Sequence, residues 1–214
     1  AASTPATMTV QPALLVSVTI AASNAPVCAG SSVTFTATPV NGGGNPVFEW
    51  RVNGNPVGTN SPNYSYVPIN GDVITCQLTS DLSCVTGNPA ISNTLSMVVN
   101  ALPVVNAGVD QSIPYGTSTS MAATVSGTAP FTYLWSPSGL FVDPGVEDPV
   151  TVNLTTTNIY TLSVTDANGC TSTDQVTITI TGSALAVNPV ATPAVLCAGN
   201  TTVLNANASG GSGS

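Results

Sequence analysis

The chain has 214 residues, of which 43% are hydrophobic and only 5% are charged, and its net charge is −8. A single cation, Arg51, excludes the basic patches that nucleic acids and anionic membrane surfaces require. The absence of histidine excludes Ser-His-Asp and Cys-His catalysis and histidine-ligated metals, and the absence of lysine excludes Lys–Asn isopeptide cross-links. No stretch reaches the ~18 consecutive apolar residues of a membrane helix. We therefore expect no enzyme, no nucleic-acid partner and no membrane insertion in this segment.

The first 100 residues divide into a short segment, residues 1–12, and a longer unit, residues 13–100. Within residues 1–12, Thr7-Met-Thr-Val10 is similar to a strand near residue 178, so we predict the last strand of an upstream unit. Residues 13–100 form a complete unit, in which Asn53-Gly54 is a strong hairpin signal. Alternation of apolar and polar residues predicts its strands near 14–20, 32–39, 46–52, 63–67, 72–80 and 92–99.

Residues 101–182 form a second unit, which ends in a clear hairpin. Apolar residues alternate with hydroxyls from Ile159 to Thr165, the turn residues Asp166-Ala-Asn-Gly169 follow, and a second alternating run reaches Ile180. We predict its strands near 103–107, 117–125, 130–136, 149–154, 158–165 and 172–180.

Residues 183–214 begin a third unit, because three landmarks repeat along the chain. A glycine precedes an alternating strand at Gly30, Gly116 and Gly199, with spacings of 86 and 83 residues. Tryptophan follows the first two glycines after 20 and 19 residues, and cysteine follows each after 54. The sequence therefore predicts an all-β chain of tandem β-sandwich units stacked end to end, with a partial unit at each end.

The final hairpin of the second unit, Tyr160-Thr-Leu-Ser-Val-Thr-Asp-Ala-Asn-Gly-Cys170, resembles the last hairpin of PKD-like repeats. The first unit, with Phe48-Glu-Trp50-Arg-Val-Asn-Gly54 and Gly71-Asp-Val-Ile-Thr-Cys76, is similar to the Ig-like repeats of giant secreted proteins of Bacteroidota. The resemblance implies Ig-like and PKD-like sandwiches of the kind found in surface adhesins that the type IX system exports.

Three aromatic residues are predicted to be structural. Trp50 and Trp135 lie on the third strand of their units, where a sandwich buries an aromatic side chain between its sheets. Tyr160 begins the strand that in such folds carries a tyrosine corner, a hydroxyl bonded to nearby backbone. We expect all three in the cores.

The five cysteines leave two pairings open. Cys28 and Cys84 lie at opposite ends of one unit, ~26 Å apart for eight residues of strand, whereas a disulfide needs Cα atoms within ~7 Å. We therefore predict a Cys28–Cys170 bridge between units, with Cys84 and Cys197 pairing outside this segment. The alternative is a Cys28–Cys84 bridge inside the first unit. Cys76, on the apolar face of its strand, is predicted to be a buried free thiol.

Asp143, Glu147 and Asp148 form the only local acidic cluster, in a loop from Phe141 to Pro149. Calcium binds several hard oxygens at one point, so these residues are weak candidates for a calcium site. Their spacing is neither that of an EF-hand nor that of a repeat-toxin calcium loop, and we expect a solvated loop and no cofactor.

Three functions are compatible with these features. The first is a structural segment of an extracellular filament, stalk or giant surface adhesin, whose partners are neighbouring units or identical subunits. In one variant, residues 183–208 complete a sandwich in a neighbouring molecule by strand exchange. The second is an adhesive module whose loops recognise a glycan or a cell-surface protein. The third is an accessory domain of a secreted hydrolase.

Overall fold

The computed structural model describes residue 8 and residues 10–211, and these divide into two compact units between Ala101 and Leu102. Within the described part of the first unit, the strands are β1 Leu14–Leu15, β2 Ser17–Ala22, β3 Val27–Cys28, β4 Val33–Val40, β5 Val47–Val52, β6 Asn55–Val57, β7 Asn63–Tyr66, β8 Val73–Thr79, β9 Val85–Thr86, β10 Ala90–Ile91, β11 Leu95–Ser96 and β12 Val99–Asn100.

The first unit is a sandwich of two antiparallel sheets. One sheet has the order β2-β4-β7, and the other has the order β10-β8-β5-β6, with β11 also pairing β8. Short parallel pairs join β1 to β9 and β3 to β12. Buried and exposed residues alternate along β4 and β8, so one face of each sheet points into the core. The order of the strands in the two sheets is that of an Ig-like sandwich. The largest fully buried side chains of this core are Val33, Phe35, Trp50, Ile74, Leu78 and Met97.

The second unit has the same two-layer plan up to residue 181. Its elements are β13 Val104–Asn106, β14 Gln111–Pro114, β15 Thr124–Ser126, β16 Thr132–Ser136, a 3₁₀ turn Ser138–Leu140, β17 Asn158–Thr165 and β18 Thr171–Thr181. The main sheet has the order β14-β18-β17-β16, and β13 pairs β15 in the second layer. The largest fully buried side chains are Trp135, Leu154, Tyr160, Leu162, Val164 and Ile178.

Residues 183–211 form two antiparallel pairs. Their strands are β19 Ser183–Val187, β20 Val190–Thr192, β21 Val203–Asn205 and β22 Ala208–Gly211. β19 pairs β22 and β20 pairs β21, as β2 pairs β4 in the first unit. Their apolar side chains are largely exposed, including Leu185, Val187, Val203 and Leu204. That these strands open a third unit stays a prediction.

Three predicted strands differ from the structure. The last strand of the first unit is broken into β10, β11 and β12, because Ser92 and Asn93 use their side chains to bond Cys76 and Ile20. In the second unit the predicted strands 117–125 and 149–154 are reduced to β15 and isolated bridges. There the Gln111 side-chain amide donates to the carbonyl of Ser120, and the Thr151 hydroxyl accepts the N–H of Thr119. These two backbone groups are therefore not available for hydrogen bonds between strands.

The predicted upstream strand falls mostly outside the described residues, since Thr7 and Thr9 are not among them. Met8 and Val10 have no assigned secondary structure.

Candidate functional site

The three repeated glycines form equivalent turns. Gly30, Gly116 and Gly199 have φ values of 84°, 77° and 92°, in the left-handed region that glycine adopts without steric cost. In each turn the residue after the glycine donates its N–H to the carbonyl three residues back, at 3.1, 3.2 and 3.1 Å. The sequence repeat is therefore a repeat of backbone geometry.

In both complete units, the segment before this turn meets the last strand of its unit in parallel. Ala29 donates its N–H to the carbonyl of Asn100 at 2.8 Å, and Tyr115 donates to the carbonyl of Thr181 at 2.9 Å. The strand partners are β3 with β12 and β14 with β18. This parallel contact ties the start of each unit to its end.

The two tryptophans are equivalent as well. Trp50 and Trp135 are fully buried, and their indole Nε1–H groups donate to the carbonyls of Ser61 at 2.9 Å and Glu147 at 3.1 Å. A buried indole N–H without an acceptor costs free energy, so each tryptophan holds in place the loop that supplies its acceptor carbonyl. Neither ring is available to stack on a ligand.

Tyr160 is fully buried and contacts Phe141, with ring centroids 5.2 Å apart. Among the described residues, no atom meets hydrogen-bond geometry for its hydroxyl, so the predicted tyrosine-corner bond is absent. Burial raises the pKa of Tyr160, and the nearby Asn158 amide offsets part of that rise. Tyr160 therefore acts through packing.

The cysteines occur in two chemical states. Cys28 and Cys170 are disulfide-bonded. Cys76, Cys84 and Cys197 carry free thiols, of which the first is buried and the other two are exposed. Burial raises the pKa of the Cys76 thiol to about 11, against a smaller opposing effect of a backbone hydrogen bond from Glu49, so this thiol stays protonated at neutral pH.

The acidic loop is held together by internal hydrogen bonds. Asp143 accepts from the Gly145 N–H at 2.9 Å, and Asp148 accepts from the Ala123 N–H at 2.7 Å. The Tyr133 hydroxyl donates to Glu147 at 3.3 Å. Burial, and then the Glu147 charge, raise the pKa of Tyr133. The structure gathers no three acidic, cysteine or histidine groups within the described residues at a spacing suited to a metal.

Every aspartate of the chain accepts a backbone N–H. The pairs, each with the backbone donor first, are Ile69 to Asp72, Asn45 to Asp81, Thr177 to Asp110, Gly145 to Asp143, Ala123 to Asp148, Asn168 and Cys170 to Asp166, and Ala107 to Asp174. Glu49 instead pairs with Arg51 at 2.6 Å. The carboxylates therefore close loops and edges, a role that the sequence patterns did not indicate.

Asp72 accepts hydrogen bonds from more donors than any other carboxylate of the chain, and the sequence around it does not indicate this role. It is 5% exposed. Burial raises the pKa of Asp72, but hydrogen bonds from the Ile69 N–H, the Asn53 amide and the Tyr66 hydroxyl together outweigh burial and hold that pKa below its usual value. Burial, and then the hydrogen bond to Asp72 and its negative charge, raise the pKa of Tyr66.

A surface cavity of the first unit has a volume of about 800 Å³ and is lined by residues 20–28, Ser31, Ser32 and Leu95. Its lining contains no aromatic and no charged side chain. Ligand sites in proteins usually combine aromatic walls with a few convergent polar groups, so this cavity lacks the features of one.

No helix among the described residues is long and apolar enough to cross a membrane.

No family model matches the sequence, and no curated protein matches it. Among solved structures, the chain is similar to the N-terminal eight Ig domains of Down Syndrome Cell Adhesion Molecule, with 14% identity over 77% of this chain and 25% of that one, at a TM-score of 0.41. It is also similar to the insect immune protein hemolin, with 12% identity over 82% and 46% of the two chains, at a TM-score of 0.38. An I-band fragment of titin shares 12% identity over 79% and 66%, at a TM-score of 0.35. The chain thus spans a quarter of the first structure and under half of the second. The Ig-like assignment rests on the strand order of the units themselves.

Proposed function

We propose that the chain is a structural segment of an extracellular filament, stalk or giant surface adhesin, in which repeated, disulfide-supported β-sandwiches supply reach and stiffness. The observation that carries the proposal is the disulfide-bonded state of Cys28 and Cys170 in a chain whose units repeat one turn and one buried tryptophan bond. Disulfides persist outside the reducing cytosol, which supports an extracellular location.

We also propose that Cys28 and Cys170 bond to each other and so join the first unit to the second. Both residues are disulfide-bonded, and the other three thiols, including Cys84, are free. By the repeat, Cys84 is equivalent to Cys170 and Cys197 is equivalent to Cys28, so each is placed to continue the same linkage with a further unit. A covalent link at every junction limits bending between units.

The chemistry of the surface supports a mechanical role over an adhesive one. The loop from Phe141 to Pro149 directs its aromatic residue inward, where Phe141 contacts Trp135 at 5.6 Å between ring centroids. The candidate carboxylates already accept internal hydrogen bonds. An accessory role beside a hydrolase, and an origin in a protein exported by Bacteroidota, stay predictions that rest on sequence resemblance.

The test is the size and shape of the native protein, from non-reducing electrophoresis and negative-stain electron microscopy of material released by the cell. We expect thin fibres with a repeat of ~40 Å, one sandwich length. Reduction is expected to make the fibres more flexible without unfolding the units. Compact particles with the mass of one chain would contradict the structural role.

A further inference from the structure

The bridge between Cys28 and Cys170 has a mechanical consequence for the residues that it encloses. Both cysteines are disulfide-bonded, and the other three carry free thiols. Their bridge closes residues 29–169, which number 141, into a loop whose two ends meet at the sulfur atoms. A pull applied to the chain from outside this loop passes through the bridge and not through the loop.

The loop contains nearly all of both hydrophobic cores. Of the twelve largest fully buried side chains among the described residues, eleven lie within residues 29–169, including Trp50 and Trp135. Only Ile178 lies outside the loop. Both indole hydrogen bonds have their acceptors inside the loop as well. The contacts that hold each sandwich together are thus in the part of the chain that the pull bypasses.

The two segments that flank the loop are already extended. The strands β1, β2 and β3 cover ten of the fifteen residues from Leu14 to Cys28. Directly after Cys170, residues 171–181 form β18, a single strand of 11 residues. A strand rises ~3.3 Å per residue, close to the limit of ~3.6 Å for a fully stretched chain. Both segments can therefore lengthen only a little, and a pull does work only on a segment that lengthens.

These segments are also bonded sideways to the loop. β2 pairs β4 from Ser17 to Ala22, and β18 pairs β17 from Thr171 to Ile178. The hydrogen bonds of an antiparallel pair lie perpendicular to the strands, so stretching either strand would have to break many of them together. The ladders therefore resist the small lengthening that remains.

We propose that the Cys28–Cys170 bridge and its two flanking segments form a tension path through both units, and that this path shields residues 29–169 from force. The inference rests on the proposed function and gives its stiffness a physical origin, since the part of the chain that bears load is already extended. Without the bridge, the loop enters the path and can add about 490 Å, at ~3.5 Å per residue, as the sandwiches unfold.

Single-molecule force spectroscopy of the full chain, held by peptide tags fused to both ends, tests the path. Cys84→Ser and Cys197→Ser remove the two exposed thiols and leave Cys76 as the free one. The matched unbridged variant adds Cys28→Ser and Cys170→Ser to this background. When both chains are fully stretched in urea, the bridged chain should be shorter by about 490 Å, at ~3.5 Å for each residue of the loop.

The thiol of Cys76 reports on the first unit independently of length. It is fully buried, so a maleimide dye should label it only after that unit opens. At the lowest force that opens the unbridged first unit, Cys76 of the bridged chain should be labelled at least ~10-fold more slowly. Both chains should resist labelling without force, which is the control for folding.

A second pulling geometry keeps the test independent of how the unbridged variant folds. Gly44 is exposed, and no atom lies within 4 Å of a Cβ placed there. Moving one tag from the N-terminal end to an insertion at Gly44 draws β4 into the path while the bridge stays intact. Labelling of Cys76 under the same force should then be at least ~10-fold faster than with both tags at the ends.

The inference is overturned if Cys76 of the bridged chain is labelled equally fast in the two pulling geometries. That result would leave the bridge and the fibres of the proposed function in place. It is also overturned if the stretched length does not depend on the bridge, which would remove the link between units. Fibres in electron microscopy would still support the structural role, so the failures are distinguishable.

Discussion

The hydroxyl of Tyr66 donates a hydrogen bond of 3.0 Å to Oδ2 of Asp72, across the connection between β7 and β8. Asp72 also accepts from the Ile69 N–H at 3.0 Å and from the Asn53 amide at 2.8 Å. Asn53 lies in the turn between β5 and β6 and accepts the Val73 N–H at 2.9 Å. One buried carboxylate therefore joins two loops of the first unit.

Replacing Asp72 with asparagine should destabilise the first unit by about 1–3 kcal/mol at neutral pH, because at least one donor loses its charged acceptor. The folded-state pKa of Asp72 is lowered. Its contribution is therefore present above the unfolded pKa of about 3.9 and is lost as pH falls through the folded value. Urea unfolding at pH 7 and pH 2.5 should show a larger acid loss in the wild type than in the variant.

Asp143→Asn is the control for that experiment, since Asp143 is exposed and bonds only the nearby Gly145 N–H. Its unfolding free energy should change by less than about 0.5 kcal/mol. Equal acid sensitivity in the wild type and the Asp72→Asn variant would contradict a structural role for the Asp72 charge.

Trypsin should act as a reporter of the first unit alone. Arg51 is the only basic residue, and it lies in β5 between β6 and β8, where the backbone is paired on both sides. We expect the native chain to resist cleavage and the unfolded chain to be cut once, into residues 1–51 and 52–214. Cleavage at the same rate with and without urea would show that β5 opens in the native state.

The same cut identifies the partner of Cys28, since residues 1–51 contain no other cysteine. After unfolding and cleavage without reductant, the two pieces should remain joined in the wild type and in Cys84→Ser, and should separate in Cys170→Ser. The opposite pattern in the two variants would establish the Cys28–Cys84 bridge instead.

The two tryptophan bonds should have similar strength. Trp50→Phe and Trp135→Phe each remove an indole N–H and leave a carbonyl without its donor, so each should lower the stability of its unit by about 1–3 kcal/mol. Calorimetry of the two variants measures both transitions. An effect confined to one variant would show that the sequence repeat does not extend to the energetics of the core.

Thiol accessibility should divide the free cysteines into two classes. Cys84 and Cys197 are exposed, whereas Cys76 is fully buried with a pKa of about 11. Iodoacetamide at pH 8 should therefore add two groups to the native chain and three in urea, as counted by intact mass. The Cys76→Ala variant should take up two in both conditions; three additions to the folded wild type would place Cys76 within reach of solvent.

Regular alternation predicted the parts of the fold where backbone ladders dominate. The hairpin of β17 and β18 follows the pattern from Ile159 to Ile180, and the tryptophans of strands β5 and β16 are both buried as expected. Alternation failed where side chains replace the ladder, as at Ser92 and Asn93. It also failed at β14, where Pro114 ends the strand and parallel pairing requires a distant partner.

The candidate site was predictable only in part, because its contacts join residues far apart in sequence. The spacing of the glycines, tryptophans and cysteines located the repeated turn, and the turn is present at all three positions. Asp72 accepts hydrogen bonds from Asn53, Tyr66 and Ile69, which come from different parts of the first unit. No local sequence pattern predicts that these residues lie close together in the fold.

The use of aspartate as a backbone acceptor has a consequence for how such chains diverge. Asn88 and Asn93 accept the N–H groups of Ser80 and Ile20 in the same way, at 2.9 and 2.8 Å. An amide oxygen thus serves where a carboxylate does, except where several donors converge as at Asp72. At an exposed position with a single backbone donor, such as Asp143, we expect exchange between the two residues to change the stability of the fold little. Such exchanges would change the net charge and the isoelectric point of the chain while leaving its architecture in place.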